Sequence, residues 1–272
     1  MSFPHVFTTI LAAGLIVPAL GLSAHAQNHA SPNRGANFLS LARDGRRIFD
    51  HTPQAAGRYV GNALSCTNCH LGSGKTPFAA PLWGAVGMYP RYQKKAGRVV
   101  TLSQRVQECF IFSEHGVAPP LNGHTVRAID AYAHYLAYRH GNVMVGYPSV
   151  GTGYVAPLKI TAGSVMAGRT EYAGHCAVCH GGDGQGQEVT FLHKYAPPLW
   201  GSRSFAVGAG MGKPAMAARF IWANMPYGHG RTLSPQVARN IADFVDSHLR
   251  PQPRQPLGSL WLHAAPNPRS TS

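Results

Sequence analysis

The stretch Cys66-Thr67-Asn68-Cys69-His70 occurs a second time, as Cys176-Ala177-Val178-Cys179-His180. Two cysteines separated by two residues and followed by a histidine form the attachment signal for c-type haem. The two thiols can form thioethers with the porphyrin vinyl groups, and the histidine then becomes the proximal ligand of the iron. A zinc or disulfide site would need another matching pair of thiols or a thioredoxin-like βαβ pattern, and the sequence has neither. Two copies therefore predict two covalently bound haem c groups.

The spacing of the two motifs predicts two domains of one kind. The motifs begin 110 residues apart, which fits two small cytochrome modules in tandem. Each module is too short to bury a large apolar core alone, so the haem should form much of that core. Amphipathic helical patterns occur in both halves, and no stretch has a convincing strand pattern. We predict a mainly α-helical protein with two tandem cytochrome c-like domains, each with one covalently bound haem.

Local signals place helices in the same order in both halves. One helix precedes each haem motif, over 38–50 and 164–175, and should pack across the last helix of its module. The other predicted helices are a helix from the N-cap Thr101 to about His115, one over about 125–140 closed by Gly141, one from Pro214 to about Asn224, and one capped by Ser234 that reaches about Leu249. Residues 53–62 and 72–81 are expected to be loops.

Composition divides the chain into five segments. They are a signal peptide over 1–26, an N-terminal cytochrome domain over 27–145, a Gly/Pro-containing linker over 146–163, a C-terminal cytochrome domain over 164–250 and a Pro-rich tail over 251–272. The tail has no hydrophobic period and is expected to be loosely held.

The first segment predicts export. An apolar run from Val6 to Leu22 precedes Ala24-His25-Ala26, a small-x-small cleavage site. An uncleaved membrane anchor is the alternative, but Gly14 and Pro18 interrupt the run and it is short for a span. We expect a periplasmic protein with no stable membrane insertion after the signal is removed.

The charge balance indicates what the protein meets. The chain has 24 Lys+Arg against 10 Asp+Glu, a net charge of +14 at pH 7. This surplus favours anionic substrates or an acidic redox partner and raises the rate of encounter with either. No compact Lys/Arg run or nucleic-acid motif accompanies it, so nucleic acid is not predicted as a partner.

The internal repeat predicts the sixth ligand of each iron. Pro-Leu-Trp-Gly ends at Gly84 in the first half and at Gly201 in the second. Met225 lies 24 residues after Gly201 and precedes a proline, where small cytochromes c place an axial methionine. Cys109, the cysteine outside both haem motifs, lies 25 residues after Gly84. We predict Cys109 as the distal ligand of the first haem and Met225 as that of the second. The alternatives are Met88, His115 and His124 for the first haem and Met211, Met216 and His229 for the second.

A thiolate ligand changes what the first haem can do. It lowers the reduction potential and places a sulfur nucleophile beside an electron acceptor. If Cys109 leaves the iron, it can attack or hold a sulfur substrate while the haem takes electrons.

With these residues in hand, the chain resembles the dihaem thiosulfate dehydrogenases, which share a Cys/His-ligated haem with the sulfur-oxidising SoxA cytochromes. The resemblance covers about residues 55–250 and is densest over 61–71, 89–92 and 101–109, which read GNALSCTNCHL, YPRY and TLSQRVQEC. It implies that Cys109 binds the active-site iron and that two thiosulfates are joined into tetrathionate, with some members running the reverse reaction. Electrons would pass from haem 1 to haem 2 and on to an acceptor cytochrome c or similar redox protein.

The resemblance also implies substrate-binding residues. Arg105 matches a family arginine four residues before the cysteine and is expected to act with Cys109. Other candidates for neutralising the thiosulfate dianion, each with a solvated basic surface as the alternative, are Lys75, Arg91, Lys94, Lys95 and Arg98. The chain departs from the family at three positions: Phe112 replaces the arginine of an Arg-Ser pair, Gln93 replaces a basic residue, and Asn224 stands where some members have a lysine.

Two other functions remain open at this point. The first is a non-catalytic dihaem electron-transfer cytochrome c in which Cys109 only tunes the potential. The second is a cytochrome that acts on another sulfur compound, such as sulfite or a carrier-bound sulfane. Labile thiolate ligation at haem 1 separates an enzyme from a simple carrier.

Overall fold

The computed structural model describes residues 32–140, 155–159 and 161–261. The predicted signal peptide, the Gly141 cap, most of the linker and the last part of the tail lie outside the described residues. The division of the chain into five segments therefore stays a prediction.

The first module is built from helices around one short hairpin. Its helices are α1 (Pro32–Asp50), α2 (Thr52–Ala56), α3 (Leu71–Gly74), α4 (Leu102–Phe112) and α5 (His124–His140). Strands β1 (Arg91–Gln93) and β2 (Arg98–Val100) pair antiparallel, with Tyr92 opposite Val99. Short 3₁₀ turns occupy Gly57–Tyr59, Cys66–Asn68, Leu82–Gly84 and Val86–Met88.

The second module repeats this order. Its helices are α6 (Val165–His175), α7 (Ala177–His180), α8 (Pro214–Asn224) and α9 (Pro235–Asp246). Strands β3 (Gln187–Val189) and β4 (Lys194–Ala196) form an antiparallel hairpin, and 3₁₀ turns cover Thr190–Leu192, Gly210–Gly212 and Leu257–Trp261.

The first and last helices of each module cross at a glycine. A Cβ on Gly45 of α1 would lie 1.9 Å from the carbonyl oxygen of Ala128 on α5. A Cβ on Gly168 of α6 would lie 2.0 Å from the carbonyl oxygen of Asn240 on α9. The predicted crossing is confirmed in both modules, and in both it depends on the absence of a side chain at the point of closest approach.

The helix signals in the sequence are largely confirmed. The side chains of Thr101, Ser164 and Ser234 each accept a hydrogen bond from the backbone N–H three residues later, and Pro214 is the first residue of α8. The bounds differ at several ends, since α1 begins at Pro32 and α4 and α9 end before His115 and Leu249. In the described part of the chain, every helix is too short or too polar to cross a membrane.

Two expectations about local structure were wrong. The chain contains two β-hairpins, although no strand was predicted. Each strand has three residues, which is too short for an alternating pattern to be recognised. The segment 53–62, which was expected to be a loop, contains α2 and a 3₁₀ turn. In the loop expected over 72–81, Gly72 and Ser73 adopt positive φ angles that are not those of an α-helix.

The segment 251–261 is not a loosely held tail. The backbone N–H of Ala118 donates to Oε1 of Gln255 at 2.8 Å, and Nε2 of His115 lies 3.0 Å from the carbonyl oxygen of Gln252. Leu257 and Leu260 pack against an apolar cluster formed by both modules. The Pro-rich composition of the segment suggested disorder. It could not reveal these two hydrogen-bond contacts, because they join residues that are 137 positions apart.

That cluster holds the two modules together. Its buried members are Leu64, Ile111 and Phe112 from the first module and Phe205 and Ala209 from the second. The N–H of Ala206 donates to the carbonyl oxygen of Phe112 at 2.7 Å. The side chain of Asn62 donates to the carbonyl oxygens of Ser113 and Ser204, at 2.9 and 3.2 Å. The interface is thus apolar at its centre and satisfied by hydrogen bonds at its edge.

Replacing Gly168 by alanine should lower the free energy of unfolding of the haem-loaded protein by roughly 1–3 kcal/mol, because the new Cβ overlaps the backbone of α9. Gly174 on the same helix is the matched control, since a Cβ there meets nothing within 4 Å. Gly174→Ala should leave stability unchanged or raise it by up to about 1 kcal/mol. Guanidinium unfolding followed by circular dichroism measures both, and equal stabilities would contradict the close crossing of α6 and α9.

Candidate haem centres and catalytic pocket

The first haem motif is held in a shape suited to covalent attachment. A 3₁₀ turn over Cys66–Asn68 is fixed by Ser65, whose N–H donates to the side chain of Asn68 at 2.7 Å. The His70 ring places Nδ1 2.5 Å from the carbonyl oxygen of Ala80. A carbonyl can only accept, so Nδ1 carries the proton and Nε2 is left with a lone pair for iron. Burial lowers the pKa of His70, which also favours the neutral ring.

The second motif has the same arrangement. Nδ1 of His180 lies 2.9 Å from the carbonyl oxygen of Pro197, and burial lowers the pKa of this histidine too. Each loop after the histidine is tied down by a tyrosine hydroxyl, from Tyr132 to the carbonyl of Ser73 and from Tyr172 to that of Gly181, both at 2.7 Å. Both histidines are therefore presented to a metal in the same way.

The residues of both motifs fit two haem c groups. All five cysteines of the chain are described, and each is a free thiol, so the four motif cysteines are available for thioether bonds. The repeat extends to the tryptophans, because Trp83 stacks on His140 with ring centroids 4.8 Å apart and Trp200 stacks on His248 at 4.1 Å. Each module thus has one attachment site within one shared scaffold.

A largely apolar cavity lies at the first motif and extends to the second module. Cys66, Cys69 and His70 line it, and Cys109 lies in its wall. The second module contributes Phe205, Ala209, Gly210, Met211, Met216 and Phe220. The space around the first attachment site is therefore closed by residues from both halves of the chain.

Cys109 lies on α4, and burial raises the pKa of its thiol. Nearby charges act in both directions, since Arg105 lowers that pKa and Glu108 raises it. The charge of Cys109 also acts on Cys66 and Cys69, so it lies near both thiols of the motif. The three alternative ligands for this haem, Met88, His115 and His124, do not line the cavity. His115 contacts Gln252, and His124 contacts Asp44 at 3.4 Å at the surface.

Met225 is the predicted distal ligand of the second haem. It follows the last residue of α8 and donates its N–H to the carbonyl oxygen of Ile221 at 2.8 Å. Two of its sequence alternatives, Met211 and Met216, line the first cavity instead. The third, His229, is exposed.

Arg105 is the basic residue of the first cavity. It lines the wall beside Cys109, and its Nη1 lies 2.6 Å from Oε2 of Glu108, whose side chain is 2% exposed. The other five basic candidates from the sequence are not among the lining residues. One of them, Lys95, places Nζ 3.3 Å from the centroid of the Phe112 ring and donates to the carbonyl oxygen of Gly208 at 3.2 Å. Lys95 therefore joins the modules next to the cavity.

Sequence analysis missed three polar residues of this region. Tyr89 lines the cavity and accepts a hydrogen bond from Nε2 of Gln93 at 3.1 Å. Glu114 also lines it, and burial raises the pKa of its carboxyl to about 8, against a hydrogen bond from the Cys66 thiol that lowers it. Glu108 was missed as the partner of Arg105, although the spacing of three residues on a helix could have indicated the pair.

Comparison with known protein families gives one match in each half of the chain. The SoxA/TsdA cytochrome c domain family matches residues 46–137, and the cytochrome c family matches residues 165–248. Two cytochrome c domains in tandem confirm the predicted mainly α-helical fold and its two covalently bound haem c groups.

Relatives of known function cover most of the chain. Thiosulfate dehydrogenase of Thiomonas intermedia is 42% identical over 225 residues, which are 82% of this chain and 70% of that protein. Thiosulfate dehydrogenase of Allochromatium vinosum is 36% identical over 267 residues, 93% of this chain and 97% of that protein. The solved structure of thiosulfate dehydrogenase TsdBA from Marichromatium purpuratum, in its as-isolated form, matches with a TM-score of 0.72 and 35% identity. That match covers 84% of this chain and 51% of the other, so the chain spans about half the length of that structure.

Replacing both cysteines of one motif by alanine should remove one covalent haem, because the histidine of that motif cannot hold the porphyrin through thioether bonds. Cys66→Ala/Cys69→Ala and Cys176→Ala/Cys179→Ala should each leave one haem, measured by intact-protein mass spectrometry. Cys109→Ala is the control and should keep both haems. Loss of a haem from the control would contradict the assignment of four cysteines to attachment.

Proposed function

This chain belongs to the thiosulfate dehydrogenase family, and from that premise we propose that it oxidises two thiosulfate ions to tetrathionate in the first cavity. The observation that carries the proposal is that Cys109 and Arg105 lie in the wall of the cavity lined by Cys66, Cys69 and His70. The cavity thereby combines three features: a sulfur nucleophile, a cation for the substrate and an attachment site for an electron acceptor. An electron carrier alone would need only the last of these.

Haem c, when bound, would supply a one-electron acceptor in each module. With these two acceptors, the oxidation of two thiosulfates balances when it starts from the Cys109 thiolate. The Cys109 thiolate and one thiosulfate form a Cys–S–S–SO₃⁻ adduct with loss of two electrons. The second thiosulfate attacks the outer sulfur of the former thiosulfate, releases S₄O₆²⁻ and restores the thiolate. The same steps in reverse reduce tetrathionate.

The surrounding residues assist this sequence by charge and by exclusion of water. Arg105 offsets the charge of a dianion that enters an apolar cavity, and Glu108 holds the guanidinium in place. His70 and Cys109 would hold the iron of haem 1 as proximal and distal ligands, and His180 and Met225 would hold that of haem 2. The thioether of Met225 would favour the reduced state of the second iron, and the second module is therefore proposed as the electron exit.

The final acceptor is proposed to be a cytochrome c or a similar redox protein with an acidic surface. The net charge of +14 favours such an encounter. We place the reaction in the periplasm, in agreement with the export signal predicted over 1–26.

The direct test is steady-state oxidation of thiosulfate by the purified dihaem protein, with ferricyanide as final acceptor and reduction followed at the haem α-band. The expected result is turnover with one tetrathionate formed for every two thiosulfates. Absence of turnover, with both haems still reducible by dithionite, would overturn the proposal in favour of an electron carrier or a different sulfur substrate.

Cys109→Gly should abolish turnover while both haems stay attached, because the variant has no thiolate to form the adduct. Met88→Leu is the control, since Met88 was a sequence alternative as ligand and does not line the cavity. It should keep the wild-type rate and spectrum. Tetrathionate formation by Cys109→Gly at the wild-type rate would refute the role of the thiolate.

The double variant Arg105→Gln/Glu108→Gln should reduce kcat/KM for thiosulfate by about ten- to a hundredfold, the range expected for a lost hydrogen bond to a charged group. Both charges are removed together, so no buried carboxylate is left unpaired and the net charge of the protein is unchanged. Glu108→Gln alone keeps the guanidinium and should lose less. Steady-state kinetics distinguish the two, and equal kcat/KM values for the double variant and the wild type would exclude Arg105 from substrate binding.

A further inference from the structure

Tyr89 is a polar residue of the first cavity to which the proposed function gives no role. Tyr89 is only 8% exposed, and it lines the same cavity as Cys109 and Arg105. The charges of Arg105 and Cys109 are the largest electrostatic influences on its phenol after burial itself. The hydroxyl therefore lies near both groups to which the proposed function assigns chemistry.

Gln93 fixes what this hydroxyl can do. The side chain of Gln93 on β1 donates through Nε2 to the Tyr89 oxygen at 3.1 Å. A phenol oxygen that accepts from an amide N–H keeps its own proton for another acceptor. In the part of the chain that the structure describes, Gln93 is the hydrogen-bond partner of this hydroxyl. Its proton is thus available to a ligand of the cavity that Tyr89 lines.

The position of Gln93 in the β1–β2 hairpin explains why its side chain contacts Tyr89. Side chains alternate along a strand, so Arg91 and Gln93 share one face of β1 and Tyr92 lies on the other. Gln93 is half-buried against Tyr89, and Arg91 is close enough to act on the pKa of that tyrosine, whereas Tyr92 is 61% exposed. Burial raises the pKa of Tyr89, so the phenol remains a neutral donor at neutral pH.

We infer that Tyr89 is a substrate-binding residue whose hydroxyl donates a hydrogen bond to a sulfonate oxygen of thiosulfate, with Gln93 as its positioning residue. The inference rests on the proposed function and adds a specificity to it. Thiosulfate ends in three acceptor oxygens on one side and a reactive sulfur on the other. A neutral O–H donor binds the oxygen end, and an outer sulfur directed at Cys109 is the productive orientation. The site is therefore matched to sulfur anions that carry a sulfonate group rather than to sulfide or polysulfide, which have no oxygen.

The test is Tyr89→Phe in the dihaem protein, which keeps the ring and removes the hydroxyl. We expect kcat/KM for thiosulfate to fall about tenfold or more, mainly through KM, with the visible spectrum and the melting temperature unchanged. Tyr92→Phe on the opposite face of β1 is the matched control and should behave like the wild type. Unchanged kcat/KM in Tyr89→Phe overturns the inference, and so does a fall that comes with an altered haem spectrum, because that would mark a structural role.

Two substitutions at Gln93 test the direction of the hydrogen bond. Glutamate accepts only, so Gln93→Glu should capture the Tyr89 proton and weaken thiosulfate use at least as much as Tyr89→Phe. Lysine donates only, so Gln93→Lys should lose less kcat/KM than Gln93→Glu. The opposite order of these two variants overturns the positioning role.

The affinity of the protein for thiosulfate can be measured separately from turnover. Cys109→Gly holoprotein is expected to bind thiosulfate without converting it, and calorimetric titration should give a Kd about tenfold weaker when Tyr89→Phe is added. An equal Kd with and without the hydroxyl overturns the inference. If the wild type turns over thiosulfate and Tyr89→Phe has the same kcat/KM, the inference about Tyr89 is refuted and the proposed function is not. A wild-type protein without turnover refutes the proposed function and, with it, this inference.

Discussion

Closure of the first cavity by the second module is the constraint on which the rest of the structure depends. Cys109 and His70 form one part of the wall, and Phe205, Met211, Met216 and Phe220 form another. Neither module can enclose the space alone, because each is small and its own core is limited. Separation of the modules would expose this apolar wall to water, so burial of the cavity and association of the modules are a single energetic event.

The polar contacts between the modules follow from that constraint. Asn62 donates to carbonyls on both sides of the junction, and Asn224 donates from the end of α8 to the carbonyl oxygen of Phe78, in the loop after the first haem motif. The segment 251–261 covers the outer side of the shared cluster. The side chains of Asn62 and Asn224 thus satisfy backbone carbonyl groups where two apolar surfaces meet.

The two modules are built on one scaffold. Both present a histidine whose Nδ1 is held by a backbone carbonyl, and both cross their terminal helices at a glycine. They differ in the residue at the predicted distal position and in what surrounds it. Cys109 lies beside Arg105, Glu108 and Tyr89, within a low-dielectric wall where each charge acts more strongly than in water. Met225 follows the last residue of α8 in the second module.

The sequence by itself determined the features that depend on neighbouring residues. The haem motifs, the N-caps Thr101, Ser164 and Ser234, and the order of helices are local, and the internal repeat carried the assignment of Cys109 and Met225 to equivalent positions. Only the tertiary structure decided which of the basic and sulfur-containing side chains share a cavity. It placed Met211 and Met216 in the wall of the first cavity. It also brought Tyr89 into hydrogen-bond contact with Gln93, which lies on a strand too short to be recognised from the sequence. It also folded the Pro-rich segment 251–261 onto residues 137 positions earlier in the chain. Such contacts depend on packing between segments that are distant in the chain. Local periodicity and motif spacing therefore do not predict them.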